Sequence, residues 1–150
     1  MEGIFHTGVT VSNLDKSVRY YRDVIGLELI TGPTEVSSGE ELSKGVGVPN
    51  ASLRLAIFKV GDGRLELLEY LTPKSQVDKP MPPNTLGAMH VAFRVKNIRE
   101  EMKRLEARGI KFFSPANIED AGPLEGWKWV YFLDPDGITL ELVEYNPPKE

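Results

Sequence analysis

The sequence predicts an α+β fold of two tandem βαβββ modules whose sheets close around a cavity. The first observation is a repeated strand, since residues 64–70 are RLELLEY and residues 139–145 are TLELVEY. Each copy alternates apolar and polar residues, which is typical of a strand with one packed face and one open face. The second observation is that each copy follows a turn rich in Gly and Asp, at residues 61–63 and 134–137. A repeated turn and strand indicate a repeated fold.

The third observation is a repeat near the start of each half. A shift of 84 residues places His6 on His90 and Asn13 on Asn97, whereas a shift of 75 aligns the two copies of the repeated strand. The shifts differ because the first half has a longer middle, the stretch 32–50 that is rich in Gly, Ser and Pro. Long connections of this kind are often binding elements.

These repeats predict one domain spanning residues 1–150. We divide it into two modules, 3–72 and 86–146, joined by a Pro-rich linker at 73–85. A single module of this size would bury too little apolar surface to be stable alone, so we expect the two to form one domain.

The elements of the first module follow from its periodicity. Residues 3–12 alternate as a strand, and Asn13 or Asp15 can cap a helix that ends at Gly26. A second strand is predicted at 27–31, and Glu40 and Glu41 open a short helical turn in the long middle. A hairpin follows, with strands at 53–60 and 65–70.

The second module repeats this plan. Alternation from His90 to Val95 predicts a strand, and Asn97 begins a helix that stops at Gly109. Three further strands are predicted, at residues 110–113, 128–133 and 138–145.

Composition limits the class of protein. The chain is 41% hydrophobic and 27% charged, with a net charge of −4 and no cysteine. It therefore has no basic surface for nucleic acid, no apolar run that could cross a bilayer, and no disulfide or thiolate chemistry. We expect a cytoplasmic protein that acts on a small molecule.

Four side chains of the repeat form a candidate metal site: His6, Glu66, His90 and Glu141. Any one of them alone is more often structural, but the chain has only two histidines and they occupy equivalent positions of the repeat. Two imidazoles and two carboxylates suit one divalent ion, Zn, Ni, Co, Mn or Fe(II), and the filled site is formally neutral. We therefore predict that the sheets enclose a metal-binding cavity with one ion per chain.

The chain resembles the vicinal oxygen chelate superfamily over nearly its whole length. The similar stretches are HTGVTV at 6–11, YRDVIGL at 21–27, GAMHVAF at 87–93 and FLDPDG at 132–137. That superfamily includes glyoxalase I, methylmalonyl-CoA epimerase, extradiol dioxygenases and bleomycin-resistance proteins. The resemblance implies paired βαβββ modules and a metal held by His6, Glu66, His90 and Glu141.

The resemblance also implies an activity. A carboxylate at Glu66 favours the glyoxalase or epimerase branch, a metal-dependent lyase or isomerase that chelates vicinal substrate oxygens and moves a proton next to a carbonyl. Glu141 would be the base, with Glu66 on the opposite side of the substrate. Thr10 and Tyr70 stand where glyoxalase I commonly has Arg and Asn, which argues against glutathione recognition. The alternatives are an Fe(II) extradiol-type dioxygenase and an antibiotic-binding resistance protein without turnover, and a homodimer is expected in each case.

Three smaller sets of side chains have candidate roles. One strand face carries an aromatic stripe that is either core or ligand pocket: Trp127, Trp129 and Tyr131. Three cations are candidates to bind an anionic substrate group: Arg54, Arg94 and Lys128. Two carboxylates lie on the face opposite the ligands and are predicted to be structural or exposed: Glu69 and Glu144.

Overall fold

The computed structural model describes residues 2–145, which divide into two compact units that join in the chain between Asp78 and Lys79. Each unit holds one sheet with helices beside it, which confirms the predicted α+β class. Neither sheet closes on itself within its unit. The predicted end of the second module, Asn146, lies outside the described residues.

The first unit contains five strands and two α-helices. In chain order they are β1 (Thr7–Thr10), α1 (Leu14–Arg19), β2 (Glu28–Thr31), β3 (Ser37–Ser38), α2 (Glu40–Val46), β4 (Ser52–Val60) and β5 (Gly63–Thr72). The sheet order is β1-β5-β4-β2, and β3 pairs with the beginning of β4. β1 and β5 are parallel, whereas the other pairs are antiparallel. The predicted hairpin and the short helix that begins at Glu40 are both confirmed.

The second unit contains four strands and one α-helix. They are β6 (Val91–Arg94), α3 (Ile98–Glu106), β7 (Asn117–Ile118), β8 (Lys128–Leu133) and β9 (Thr139–Glu144), with a 3₁₀ turn at Gly122–Leu124. The sheet order is β6-β9-β8-β7, and β6 and β9 are parallel. The unit therefore has the predicted βαβββ order.

The predicted strand at 110–113 is wrong. Phe112 makes only an isolated bridge to Phe132, and the paired strand β7 begins later, at Asn117. Pro115 lies between them, and proline lacks the amide proton that a continuous ladder needs. The apolar side chain of Phe112 serves packing instead, since its ring lies 5.3 Å from that of Phe132.

A predicted helix cap is confirmed in each unit, and of the two candidates for the first helix the cap is Asn13, whereas Asp15 lies within the helix. The side chain of Asn13 accepts a hydrogen bond from the amide of Lys16, at 2.8 Å, and Asn97 accepts from Arg99 and Glu100. α1 continues as a π-helical segment, Tyr20–Ile25, which ends at Gly26 with φ of 92°. The helices are short, and none within residues 2–145 is long and apolar enough to cross a membrane.

The core of each unit lies between its sheet and its helix. In the first unit the buried apolar side chains include Leu14, Val18, Tyr21, Ala56, Phe58, Leu65 and Leu67. In the second they include Phe93, Ile98, Leu105, Val130, Phe132, Leu140 and Leu142. Because successive residues of a strand point to opposite faces, the other face of each sheet points away from this core. We call the side away from the core the open face.

A carboxylate joins the helix to the sheet in each unit. Glu69 Oε2 accepts a hydrogen bond from the Leu14 amide at 3.1 Å, and Glu144 Oε2 accepts one from the Ile98 amide at 2.8 Å. Both amides belong to the first residue of a helix, where the helix itself supplies no acceptor. Of the two predictions for Glu69 and Glu144, the structural one is therefore confirmed.

We expect Glu144→Ala to lower the free energy of unfolding by about 2–3 kcal/mol, because it removes a charged acceptor from a buried amide. It also removes the counter-charge of Lys128, whose Nζ contacts Glu144 Oε1. Urea denaturation measures the change. The exposed Glu100 of the same helix offers a control, and Glu100→Ala should change stability by no more than about 0.5 kcal/mol. Equal losses in the two variants would contradict this role.

We expect Gly32→Ala to destabilise the first unit more than Gly26→Ala. Both glycines have φ near +90°, which costs an L-residue about 1–2 kcal/mol. A Cβ at Gly32 would also lie 2.4 Å from the carbonyl oxygen of Leu55, whereas a Cβ at Gly26 meets nothing within 4 Å. Thermal unfolding of the two variants separates the cost of the positive φ, which both share, from the cost of the close contact with Leu55, which only Gly32→Ala has. A similar loss in both would show that the backbone near Leu55 gives way.

Candidate functional site

Parallel pairing of the first and last strands places each histidine near a glutamate. Gly8 of β1 pairs with Glu66 of β5, and Ala92 of β6 pairs with Glu141 of β9. Each histidine lies two residues before that paired position, just outside its strand. Since residues two apart share a face, the histidine and the glutamate point to the same side of the sheet. That side is the open face in both units.

The structure brings the four predicted ligands together as two pairs, one in each unit. His6 Nε2 lies 3.5 Å from Glu66 Oε2, and His90 Nε2 lies 2.9 Å from Glu141 Oε2. Metal–donor distances of about 2.1 Å put two neighbouring ligands of one ion about 3–3.5 Å apart. Each pair therefore has the chemistry and the spacing of two ligands of one divalent ion.

The set of four stays a prediction. Within residues 2–145, no group of three or more His, Asp or Glu side chains lies close enough to hold a metal ion. The structure establishes one His–Glu pair in each unit, His6 with Glu66 and His90 with Glu141.

The two pairs differ in their surroundings. Both histidine side chains are 43% exposed, so their nitrogens are accessible, whereas the Glu66 and Glu141 side chains are only 17% and 12% exposed. Burial raises the pKa of Glu141 above its ordinary value, and the adjacent His90 partly opposes that rise.

Aromatic rings surround the pair of the second unit. Tyr131 lies directly opposite Glu141 in the β8–β9 ladder, and its ring centroid is 5.1 Å from that of His90. Trp129 continues the row at 5.3 Å from Tyr131. Burial, and then the charge of Glu141, raise the pKa of Tyr131, so its phenol keeps its proton near neutral pH. Trp129 and Tyr131 are thus on the face of the candidate site, half-buried rather than in the core.

A cation lies beside the pair of the first unit. The guanidinium carbon of Arg64 is 4.2 Å from the ring centroid of Phe5, and the Phe5 ring packs edge-on against His6. Arg64 was not among the cations predicted from the sequence. The available signal was its spacing, because it stands two residues before Glu66 and therefore shares its face.

Two of the three cations suggested for substrate binding are on the wrong face. Arg54 pairs across the strands with Glu69 and contacts Asp15 at 3.1 Å, while Lys128 contacts Glu144. Both lie on the helix side of their sheets, because their cross-strand partners do. Arg94 remains a prediction.

Two surface cavities lie elsewhere. One, of about 640 Å³, is beside α2 in the first unit, and the other, of about 660 Å³, is beside α3 in the second. Neither is lined by a predicted metal ligand, so they do not define the candidate site.

The chain matches the model of the Glyoxalase/Bleomycin resistance protein/Dioxygenase superfamily over residues 3–142, and it belongs to that superfamily. This confirms the resemblance found in the sequence. The chain is 32% identical to a 2-epi-5-epi-valiolone epimerase from Actinomyces sp., over 93% of this chain and 78% of the epimerase. It is 28% identical to the lactoylglutathione lyase of Haemophilus influenzae, over 97% of this chain and 95% of the lyase.

Solved structures agree with the fold. A glyoxalase family protein from Bacillus cereus superposes with a TM-score of 0.78 at 26% identity, covering 96% of this chain and 94% of that one. A lactoylglutathione lyase from Agrobacterium tumefaciens superposes with a TM-score of 0.62, also at 26% identity and with the same coverage.

We expect His90→Ala and Glu66→Ala each to weaken binding of a divalent ion at least tenfold, because each removes one donor from the predicted set. Titration with Co²⁺ by calorimetry measures affinity and stoichiometry, which should be about one ion per chain. Glu100 is exposed in the first turn of α3, on the helix side of the sheet, so Glu100→Ala should bind as the wild-type chain does. Unchanged affinity in both ligand variants would refute the assignment.

Proposed function

We propose that this protein is a metal-dependent isomerase or lyase that moves a proton at the carbon next to a substrate carbonyl. The observation that carries this proposal is the duplicated His–Glu pair on the open faces of the two sheets, with nitrogen–oxygen distances of 3.5 and 2.9 Å. Nitrogen and oxygen donors of this kind suit a Lewis-acidic divalent ion with positions left for substrate oxygens.

The relatives support the same class of reaction. One is named an epimerase and others are named lactoylglutathione lyases. The match to the epimerase covers 93% of the present chain. Within that class we favour an isomerase. Thr10 and Tyr70 occupy the positions where the glyoxalase I pattern commonly has Arg and Asn, so this chain lacks that pattern for glutathione.

In this proposal His6, Glu66, His90 and Glu141 hold one divalent ion per chain. When bound, such an ion polarises the substrate carbonyl and stabilises the negative charge that develops on its oxygen. The two histidines act in their neutral form, with Nε2 as the donor atom. The half-buried carboxylates balance the charge of the ion.

The chain itself supplies the groups that carry the proton. Glu141 takes the proton from the substrate carbon, because it is the less exposed of the two carboxylates and burial raises its pKa above the ordinary value. A carboxylate that ligates a divalent ion is a weak base, so the Oε2 atom of Glu141 must be free of that role when it accepts the proton. In an epimerase a second group must deliver a proton to the other face of the carbon. Glu66 would be that group, and to deliver the proton it must be in its protonated form and free of the ion.

The homodimer and the cytoplasmic location stay predictions. The family description also covers dioxygenases and resistance proteins. Oxygen uptake with a catechol and Fe(II), or tight binding of an antibiotic without turnover, would favour one of those alternatives.

We expect Glu141→Gln to lower proton exchange at the substrate carbon at least a hundredfold while metal binding remains measurable, because glutamine keeps an oxygen donor but cannot accept the proton. Incorporation of deuterium from D₂O, followed by NMR, measures exchange on a panel of hydroxyketones, hemithioacetals and acyl-CoA esters. Glu100→Gln should exchange at the wild-type rate. Wild-type exchange in metal-loaded Glu141→Gln would assign the base to another group.

A further inference from the structure

We propose that the open face of the second unit is a stacking platform for a ring-shaped ligand, and that the substrate is a cyclic α-hydroxyketone. The platform consists of five rings: His90, Trp127, Trp129, Tyr131 and Tyr145. This inference rests on the proposed function and specifies its substrate class.

The rings of the platform form two contacting groups on one sheet face. Trp129, Tyr131 and His90 follow one another at centroid distances of 5.3 and 5.1 Å. Trp127 and Tyr145 contact each other at 4.7 Å. Residues two apart on β8 and β9 share a face, so this is also the face of Glu141. The surface therefore places a metal ligand and a candidate base beside a broad aromatic area.

Hydrogen bonds hold the indole of Trp129 and the backbone of Trp127 and Trp129 in place before any ligand binds. The indole nitrogen of Trp129 donates to Glu119 Oε1 at 2.6 Å, and the Glu119 amide donates to the carbonyl oxygen of Trp127 at 2.9 Å. Asn117 Nδ2 donates to the carbonyl oxygen of Trp129. A surface ordered in this way loses little conformational entropy when a ligand binds, which favours affinity.

The repeat shows that the fold does not need the three rings at Trp127, Trp129 and Tyr131. In the first unit, Ile57 occupies the place opposite Glu66 that Tyr131 occupies opposite Glu141. Leu55 and Leu53 precede it on the same face, as Trp129 and Trp127 precede Tyr131. Aliphatic side chains thus occupy the equivalent strand positions of a sheet with the same fold. The aromatic residues of the second unit call for another explanation, and ligand binding provides one.

The chemistry of the platform selects the ligand. The faces of aromatic rings are electron-rich and attract partially positive C–H groups. A saturated ring with hydroxyl groups at its edge presents such a C–H face. The proposed reaction further requires a hydrogen on a carbon next to a carbonyl, together with vicinal oxygens. A cyclic α-hydroxyketone meets both requirements, whereas a catechol lacks that hydrogen and a hemithioacetal lacks the ring.

Tryptophan fluorescence tests the platform directly, because Trp127 and Trp129 are the two tryptophans of the chain. The full chain with equimolar Zn²⁺ is titrated with 2-keto-myo-inositol, and with dihydroxyacetone as an acyclic hydroxyketone. We expect a saturable change with the cyclic probe and a binding constant at least fivefold weaker for the acyclic one. Equal responses to the two probes, or tighter binding of catechol than of the cyclic ketone, would overturn the inference.

Substitutions at Tyr131 separate stacking from folding. Tyr131→Ile introduces the residue that the first unit carries, and we expect it to weaken binding of the cyclic probe at least fivefold. Tyr131→Phe keeps the ring and should bind within about twofold of wild type, since stacking needs no hydroxyl. The matched control is Ile57→Val on the open face of the first unit, which should leave the fluorescence titration unchanged. Wild-type affinity in Tyr131→Ile would overturn the platform.

The proposed function and the platform fail in different ways. Proton exchange on acyclic substrates, with the same KM in Tyr131→Ile as in wild type, would refute the platform and leave the proposed function standing. Saturable binding of the cyclic probe without exchange on any substrate would refute the proposed function, while the platform would stand as a binding site.

Discussion

The parallel pairing of the first and last strands of each unit is the constraint on which the rest of the structure depends. A parallel pair cannot be joined by a tight turn, so the chain must leave the sheet and return, and the helix after β1 or β6 begins that path. In both units the last strand binds the helix through a carboxylate, Glu69 or Glu144. The same pairing brings each histidine to a second glutamate of that strand, Glu66 or Glu141, on the open face of the sheet. One strand thus supports the helix with one face and the candidate site with the other.

The two faces of the sheets have diverged to different degrees. On the helix face the repeat keeps the same chemistry, with a cation, Arg54 or Lys128, opposite the carboxylate that holds the helix. On the open face it keeps the His–Glu pair but differs at the neighbouring positions, where aliphatic side chains in one unit correspond to aromatic ones in the other. The shared features are those that the fold or the proposed metal needs. The differing features are those that a particular ligand would require.

That difference gives the two carboxylates unequal environments. Glu141 lies against Tyr131 and His90 and is more buried, and its pKa is raised, whereas Glu66 lies opposite Ile57 with Arg64 two residues away on the same strand. Chemically identical groups in different surroundings can take different parts in acid–base chemistry. A duplicated fold provides two such groups and then allows each to be adjusted through its own neighbours.

Patterns along the sequence were enough to predict the fold class, the cap at Asn97, and two histidines and two glutamates at equivalent positions of a repeat, because caps, strand alternation and repeats can be read from the order of residues. They did not show which histidine would contact which glutamate. Local patterns could not show that residues 110–113 fail to form a strand. Nor could they show that Arg54 and Lys128 face the helices, or that the aromatic stripe shares the face of Glu141. Those features depend on which residue lies opposite which across the sheet. Strand register is set by tertiary packing and turns, so the tertiary structure decided them.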